Sequence, residues 1–181
     1  MSETIAIQRI VVADENDRSK VVSEGPSPDV RTDPARPGFS CSRIWVTDRT
    51  PIGLKGAHES LHLPHTLVPP TGGSTCFVVT FPPDASYRGK VGSREVANYF
   101  AMMGAPQVST YSATAAHPYM QKAQTLDFCL VLDGEITLVL DLQEVHLKAG
   151  DTVVQRGTRH AWHNRSSGPC VVAISSHDAV E

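Results

Sequence analysis

Short apolar runs separated by turn residues indicate a mostly β chain. From residue 126 onward the runs are four to eight residues long. Strands of this length, spaced at roughly eight to twelve residues, are typical of an antiparallel sandwich or barrel. Asp133-Gly134 predicts a hairpin, because a type I′ turn needs positive φ at both central residues. We expect strands over 126–132, 135–142, 144–148, 152–155, 160–164 and 170–175.

The first half of the chain is more irregular, since 11 of the 13 prolines in the whole sequence precede Gln107. Strand-like runs there are separated by turn-rich stretches, which are too short to bound a second domain. A length of 181 residues also fits one domain. The runs lie at 4–13, 41–47 and 76–81. We therefore predict an N-terminal arm (1–105), a barrel core (106–176) and a tail (177–181).

One segment, 93–104, has a helical pattern. Ser93 is the expected N-cap, Glu95 lies in the first turn, and Gly104 is the expected stop. The apolar positions of this segment fall on one helical face: Val96, Tyr99, Phe100 and Met103.

Charge and composition narrow the function. The formal net charge is −3 and no run of like charges occurs, which argues against nucleic-acid and membrane partners. No apolar stretch approaches the roughly 20 residues of a membrane span, and the start lacks a signal-peptide core. We expect a cytoplasmic protein. Its cysteines are far apart among apolar neighbours and are expected to be free: Cys41, Cys76, Cys129 and Cys170.

Strand alternation selects the candidate functional residues. Asp127 shares one strand face with Cys129. Because the run around it is apolar, its carboxylate must be paired with a charge, hydrogen-bonded to a backbone amide or open to a cavity that holds water. His160 shares a face with Trp162 at the start of a later strand. A histidine in this position is either a satisfied core or surface residue or a functional one.

Together the two segments resemble the paired motifs of the cupin superfamily, over residues 120 to 176. Asp127 stands where that family has its acid, with Gly134 seven positions later. Gly150 begins the second motif, His160 is its histidine and Asn164 closes it. The resemblance implies an all-β, antiparallel jelly-roll barrel whose pocket is centred on Asp127 and His160. It says little about the reaction, because the superfamily hosts many functions.

The first motif departs from the family, because Gln121 and Ala123 stand where it has two histidines. The resemblance implies a metal site, but only His160, Asp127 and Gln121 could form it here. We therefore expect no cofactor or a weakly bound divalent transition metal: Fe, Mn, Ni, Cu or Zn. Borrowed ligands are conceivable at His117 and His163.

The remaining histidines are predicted to lie outside the site. Proline near the 58–65 segment prevents a helix that would hold its histidines on one face, so a solvated loop is expected. A strand position predicts an exposed His146. The loop histidines are His58, His62 and His65, and His177 lies in the tail.

Three functions remain open. The first is acid/base chemistry by Asp127 and His160 on a small organic acid or aromatic. The second is a metal-dependent oxygenase or decarboxylase, and the third is a ligand-binding or sensing module without turnover. In the first case the substrate-positioning candidates around the pocket are Gln121, Gln124, Cys129 and Trp162.

An apolar outer face also predicts a homodimer, since a large uncovered patch is unusual on a monomer. First-half strands could cover this face instead. Its predicted members are Leu126, Phe128, Leu130, Leu132, Ile136, Leu138, Leu140 and Leu142.

Overall fold

The computed structural model describes residues 6–55 and 59–181. Within these ranges the chain forms eleven strands, one α-helix and three short 3-10 helices. The strands are β1 (Gln8–Glu15), β2 (Arg18–Pro26), β3 (Val30–Thr32), β4 (Ser40–Thr47), β5 (Ser74–Phe81), β6 (Thr125–Asp133), β7 (Glu135–Leu140), β8 (Glu144–Lys148), β9 (Thr152–Arg156), β10 (His160–His163) and β11 (Cys170–Asp178). The helix is α1 (Ser93–Met102), and the 3-10 helices are Asp84–Ser86, Arg88–Lys90 and Pro106–Val108.

Two sheets enclose the core. One has six strands in the order β3-β4-β5-β11-β6-β9, and the other has three in the order β10-β7-β8. Their inner faces contribute to the same apolar cluster, together with α1. The pairs within both sheets are antiparallel, and β1 and β2 form a separate antiparallel hairpin. The predicted all-β, antiparallel class is confirmed, and no helix among the described residues has the length and hydropathy to cross a membrane.

The predicted hairpin at Asp133-Gly134 is wrong. The strands on either side, β6 and β7, belong to different sheets, so the chain turns a corner there. Gly134 has φ 75°, whereas Asp133 does not have positive φ. A Cβ at Gly134 would lie 2.6 Å from the Pro169 carbonyl oxygen, which explains the glycine. The turn with two consecutive positive φ angles is Asn16-Asp17 between β1 and β2.

The corner also changes which residues face solvent. On β6, Phe128, Leu130 and Leu132 are 48%, 38% and 47% exposed, as predicted. On β7, Ile136 and Leu138 are buried at 1% and 3%, so their prediction as outer residues is wrong. The alternation of one strand does not continue into the next when the two lie in different sheets.

The helix Ser93–Met102 lies within the predicted segment 93–104, but its N-cap is Gly92 rather than Ser93. The Gly92 amide donates to the Glu95 carboxylate at 3.0 Å, which satisfies one of the free amides at the helix start. The predicted apolar face is buried. Gly104 has φ 65°, and a Cβ there would lie 2.1 Å from the His65 carbonyl oxygen.

All four cysteines are free. Cys41, Cys129 and Cys170 are buried, and Cys76 is partly buried. Burial raises the pKa of Cys41 and of Cys129 to about 12, so both remain thiols at neutral pH.

Candidate functional site

Gln121 and His160 face each other across two chain segments. Their backbones exchange two hydrogen bonds, Gln121 N to His160 O at 2.8 Å and His160 N to Gln121 O at 2.9 Å. Residues paired in this way project their side chains to the same side of the sheet. The Nε2 atoms of the two side chains accordingly lie 3.2 Å apart.

The hydrogen bonds of His160 define its tautomer. Nδ1 lies 2.9 Å from the carbonyl oxygen of Thr158, which can only accept, so Nδ1 carries the proton. Burial lowers the pKa of His160, against the opposing effects of the Thr158 hydrogen bond and the Asp127 charge. The ring is therefore neutral at pH 7. Its Nε2 lone pair accepts a hydrogen bond from the Gln121 amide.

Asp127 lies on the inner face of β6, as predicted from strand alternation. Its cross-strand partners are Gln155 on β9 and Ser176 on β11, and all three are buried. The carboxylate oxygen Oδ1 is buried without a hydrogen-bond partner. Among the described contacts no hydrogen bond joins Asp127 to His160, so the Thr158 carbonyl orients the imidazole and the carboxylate acts on it by charge alone.

Cys129 and Trp162 also face inward. The Cys129 sulfur accepts a weak hydrogen bond from Gln155 Nε2 at 3.7 Å. The Trp162 ring lies 6.2 Å from the His160 ring in an edge-on arrangement and 6.0 Å from the Phe81 ring. These side chains give the site an apolar wall.

Gln124 lies elsewhere, and its predicted place in the barrel pocket is wrong. Its side chain is exposed, in an outer groove of about 760 Å³ that Lys122, Arg156 and the C-terminal residues also line. Gln121 and Gln124 are an odd number of positions apart, so an extended backbone sends them to opposite sides. Neither Asp127 nor His160 lines this groove.

A small cavity beside the candidate site is lined by residues that the motifs did not indicate. Arg36 and Tyr99 of the arm and Tyr119 of the barrel segment line this space of about 50 Å³ together with Gln121 and Trp162, and neither Asp127 nor His160 lines it. Arg36 lies in the turn between β3 and β4, far along the chain from both motifs. Its position depends on how the arm packs, and no local pattern marks it.

The residues present do not fit a metal site. Within residues 6–55 and 59–181 no group of three or more His, Cys, Asp and Glu side chains could hold a metal ion. The Nε2 lone pair of His160, the atom that would bind a metal, already accepts from Gln121, which presents an amide N–H and not an oxygen. A ligand set of Asp127 and His160 alone is too small for firm binding.

The proposed borrowed ligands do not reach His160. His117 Nε2 lies 2.7 Å from Asp84 Oδ2, and His163 Nε2 lies 3.4 Å from the same oxygen. His163 is three positions from His160 on β10, so it occupies the opposite face of that strand. Both histidines belong to a buried cluster centred on Asp84.

The other histidines divide between surface and structure. His62 and His146 are exposed, as expected. His65 is not solvated, because its side chain is buried and Nδ1 lies 3.1 Å from the Asp29 carboxylate. His58 lies outside the described residues.

A sequence model described as "Cupin domain" matches residues 109–176. Among curated proteins, the chain is 56% identical over 48 residues to phomopsin biosynthesis cluster protein C′ of Diaporthe leptostromiformis, covering 26% of this chain and 25% of that protein. It is 44% identical over 46 residues to the cupin-domain-containing oxidoreductase virC of Hypocrea virens, covering 25% of this chain and 24% of that protein. The matched segment thus spans about a quarter of these relatives.

Solved structures resemble the chain more loosely over a longer range. The cupin domain of Schizosaccharomyces pombe Cnp3 aligns with a TM-score of 0.46 at 10% identity, covering 96% of this chain and 87% of that one. A cupin 2 conserved barrel protein of Salinispora arenicola aligns with a TM-score of 0.40 at 12% identity, covering 82% of each chain.

Proposed function

We propose that this protein, whose residues 109–176 match a cupin-domain model, binds a small organic acid or aromatic molecule in its barrel and acts on it by acid/base chemistry. His160 is the proposed base and Asp127 its electrostatic partner. The observation that carries the proposal is the buried, neutral imidazole whose Nε2 lone pair faces Gln121 inside the barrel.

His160 has the properties of a general base. Its Nδ1 proton is held by the Thr158 carbonyl, so a proton taken from a substrate goes to Nε2. The Gln121 amide donates a hydrogen bond to the Nε2 lone pair of His160, so the Gln121 side chain must rotate away before Nε2 can take a proton from a substrate. Gln121 would then be free to hydrogen-bond the substrate through its amide.

Asp127 would support this step through its charge. The negative carboxylate favours the imidazolium that forms when Nε2 takes a proton, as its effect on the pKa of His160 indicates. Its unpartnered Oδ1 can also accept a hydrogen bond from a substrate hydroxyl or amine. A buried acceptor of this kind is costly unless it has such a use.

The curated relatives are consistent with a small-molecule substrate, since the phomopsin protein belongs to a biosynthesis cluster. The name of the virC protein favours a second candidate, a cupin oxidoreductase. Metal analysis of the purified protein separates the two, because metal-dependent redox chemistry requires about one bound ion per chain. A metal content near zero together with proton exchange favours the acid/base proposal.

The direct test is hydrogen exchange. The protein is incubated in D2O with a panel of small organic acids, aromatic acids and neutral aromatic molecules, and deuterium incorporation into each is measured by mass spectrometry. We expect exchange that His160→Gln abolishes and Asp127→Asn reduces. His146→Gln is the matched control, because His146 is exposed outside the barrel. Binding without exchange would indicate a sensing module instead.

We also propose that a second copy of the chain covers the outer face of β6 and β9. Phe128, Leu130 and Leu132 are exposed there beside Val154, which is 61% exposed. A cleft of about 310 Å³ with an almost entirely apolar lining crosses the same region. Contiguous apolar surface of this kind marks an interaction site.

A further inference from the structure

Arg36 is a buried cation that belongs to the arm and lies where the arm packs against the barrel. Its side chain is only 4% exposed. The turn that carries it is fixed by Asp33, whose backbone carbonyl accepts from the Arg36 amide at 3.0 Å and whose Oδ1 accepts from the Ala35 amide at 3.0 Å. The Phe39 amide donates in turn to the Arg36 carbonyl at 2.9 Å. The position of Arg36 is therefore set by the local backbone.

Three aromatic rings surround the guanidinium. Its central carbon lies 3.9 Å from the ring centre of Phe39, 4.2 Å from that of Tyr99 and 3.7 Å from that of Tyr119. The ring faces attract a cation and hold the guanidinium plane in place. The same rings pack edge to face on one another, so the enclosure is rigid.

One edge of the guanidinium is paired and another is not. Nε donates to Asp33 Oδ2 at 2.7 Å, and the Tyr119 hydroxyl donates to the same oxygen at 3.1 Å. Nη2 is buried and has no hydrogen-bond partner. An arginine carries five N–H donors, and a buried donor without an acceptor is costly. The pairing with Asp33 thus leaves the Nη2 N–H donors of Arg36 buried and without an acceptor.

Arg36 lines the small cavity, as do Gln121 and Trp162. The cavity measures about 50 Å³, which suits a carboxylate group but not a large ligand. Gln121 connects this space to the proposed base, because its side chain also contacts His160. A molecule anchored at Arg36 would therefore extend past Gln121 towards His160.

We propose that Arg36 binds the carboxylate of the barrel's ligand, so that the protein selects small carboxylic acids over neutral molecules. This inference rests on the proposed function and narrows its substrate class. The planar guanidinium matches a carboxylate in shape and charge. Asp33, Phe39, Tyr99 and Tyr119 then act as positioning residues that hold the guanidinium in place.

Trp162 provides the test, since it lines the cavity and the chain has only two tryptophans. Trp45→Phe leaves Trp162 as the single tryptophan, whose emission is excited selectively over that of tyrosine. This variant is titrated at pH 7, in a buffer without carboxylates, with acetate, propionate, acetamide or inorganic phosphate. We expect acetate and propionate to change the Trp162 emission saturably, and acetamide to bind at least ~10-fold more weakly, because it lacks the charge.

Arg36→Met in the same background should weaken acetate binding by at least ~10-fold and leave acetamide binding unchanged. Arg9→Met is the matched control, because Arg9 is also buried and ion-paired, but outside the cavity. If Arg36→Met does not fold, the comparison of acetate with acetamide on the folded Trp45→Phe protein decides. Equal binding of the two, preference for phosphate over acetate, or full acetate affinity in Arg36→Met would overturn the inference.

The outcomes also separate this inference from the proposed function. If acetate binding depends on Arg36 but no acid exchanges protons through His160, the inference stands and the acid/base proposal fails. If neutral aromatics exchange through His160 while acetate does not bind, the acid/base proposal stands and the role of Arg36 is refuted.

Discussion

Asp84 should stabilise the segment that carries the candidate site, and Asp84→Ala tests this. Its carboxylate accepts hydrogen bonds from Tyr87 Oη at 2.6 Å, His117 Nε2 at 2.7 Å and the Asn164 amide at 3.2 Å. His117 Nδ1 accepts from the Tyr119 amide at 3.1 Å, so the histidine is satisfied as a neutral ring. Through this chain Asp84 links the end of β10 to the residues that precede Gln121.

The contacts define the size of the effect. Asp84→Ala leaves three buried donors without their acceptor, and each such donor costs about 1–3 kcal/mol before water relieves part of the loss. We expect the free energy of unfolding to fall by about 3–5 kcal/mol, because the costs of the three donors add up and water relieves only part of them. Asp84→Asn should cost only about 1–3 kcal/mol, because Oδ1 can still accept while the new amide opposes His117.

Urea denaturation at pH 7, followed by circular dichroism, measures these differences. Asp141→Asn is the control, since Asp141 pairs with Arg159 at the surface and its loss should cost less than about 1 kcal/mol. A loss for Asp84→Ala no larger than that of the control would refute the reasoning.

The pH dependence of stability gives an independent check. Although burial alone would raise the pKa of Asp84, hydrogen bonds from His117 and Tyr87 keep it below its ordinary value. Burial lowers the pKa of His117, and Asp84 only partly opposes this. The folded state therefore binds fewer protons than the unfolded state at both groups. Their stabilisation is full above the unfolded pKa values and is lost as the pH falls through the folded ones. Asp84→Ala should therefore remove the loss of stability below the ordinary pKa of an aspartate and keep the loss in the histidine range, because Asp84 no longer opposes the effect of burial on the pKa of His117.

Other consequences can be measured separately. Gly104→Ala should lower the free energy of unfolding by about 2 kcal/mol or more, because the positive φ of Gly104 and the close His65 carbonyl both oppose a side chain. Gly89→Ala is the control, because a Cβ at Gly89 would meet no atom within 4 Å. Phe128→Lys should convert a dimer to a monomer of 19.6 kDa, as measured by light scattering. Leu142→Lys is the control and should leave the dimer intact, because Leu142 lies at an exposed turn. A wild-type protein that is already monomeric would contradict the proposed dimer. If His160 is the base, the acidic limb of the pH–rate profile should lie below pH 6.5, since burial lowers the pKa of His160, and a limb above 6.5 would argue against that assignment.

Strand alternation predicted the inner faces of β6 and β10 correctly, including the inward positions of Asp127, Cys129 and Trp162. The apolar face of α1 was equally readable. These features depend on side-chain periods of two or 3.6 residues within one element. The helical period did not identify the N-cap correctly, because Gly92 and Glu95 form the cap and Ser93 does not.

What the sequence by itself determined is thus the strands of the second half and α1, the buried faces of β6, β10 and α1, and the two motif positions. It did not predict β2, β3 or the buried face of β7. Only the tertiary structure decided that Asp133-Gly134 is a corner, that Gln121 bonds His160, and that the arm places Arg36 in the cavity. The physical reason is that periodicity is a local property, whereas strand pairing and side-chain contacts depend on segments far apart along the chain. Arg36 and Gln121, 85 positions apart, line one cavity only because the arm packs against the barrel.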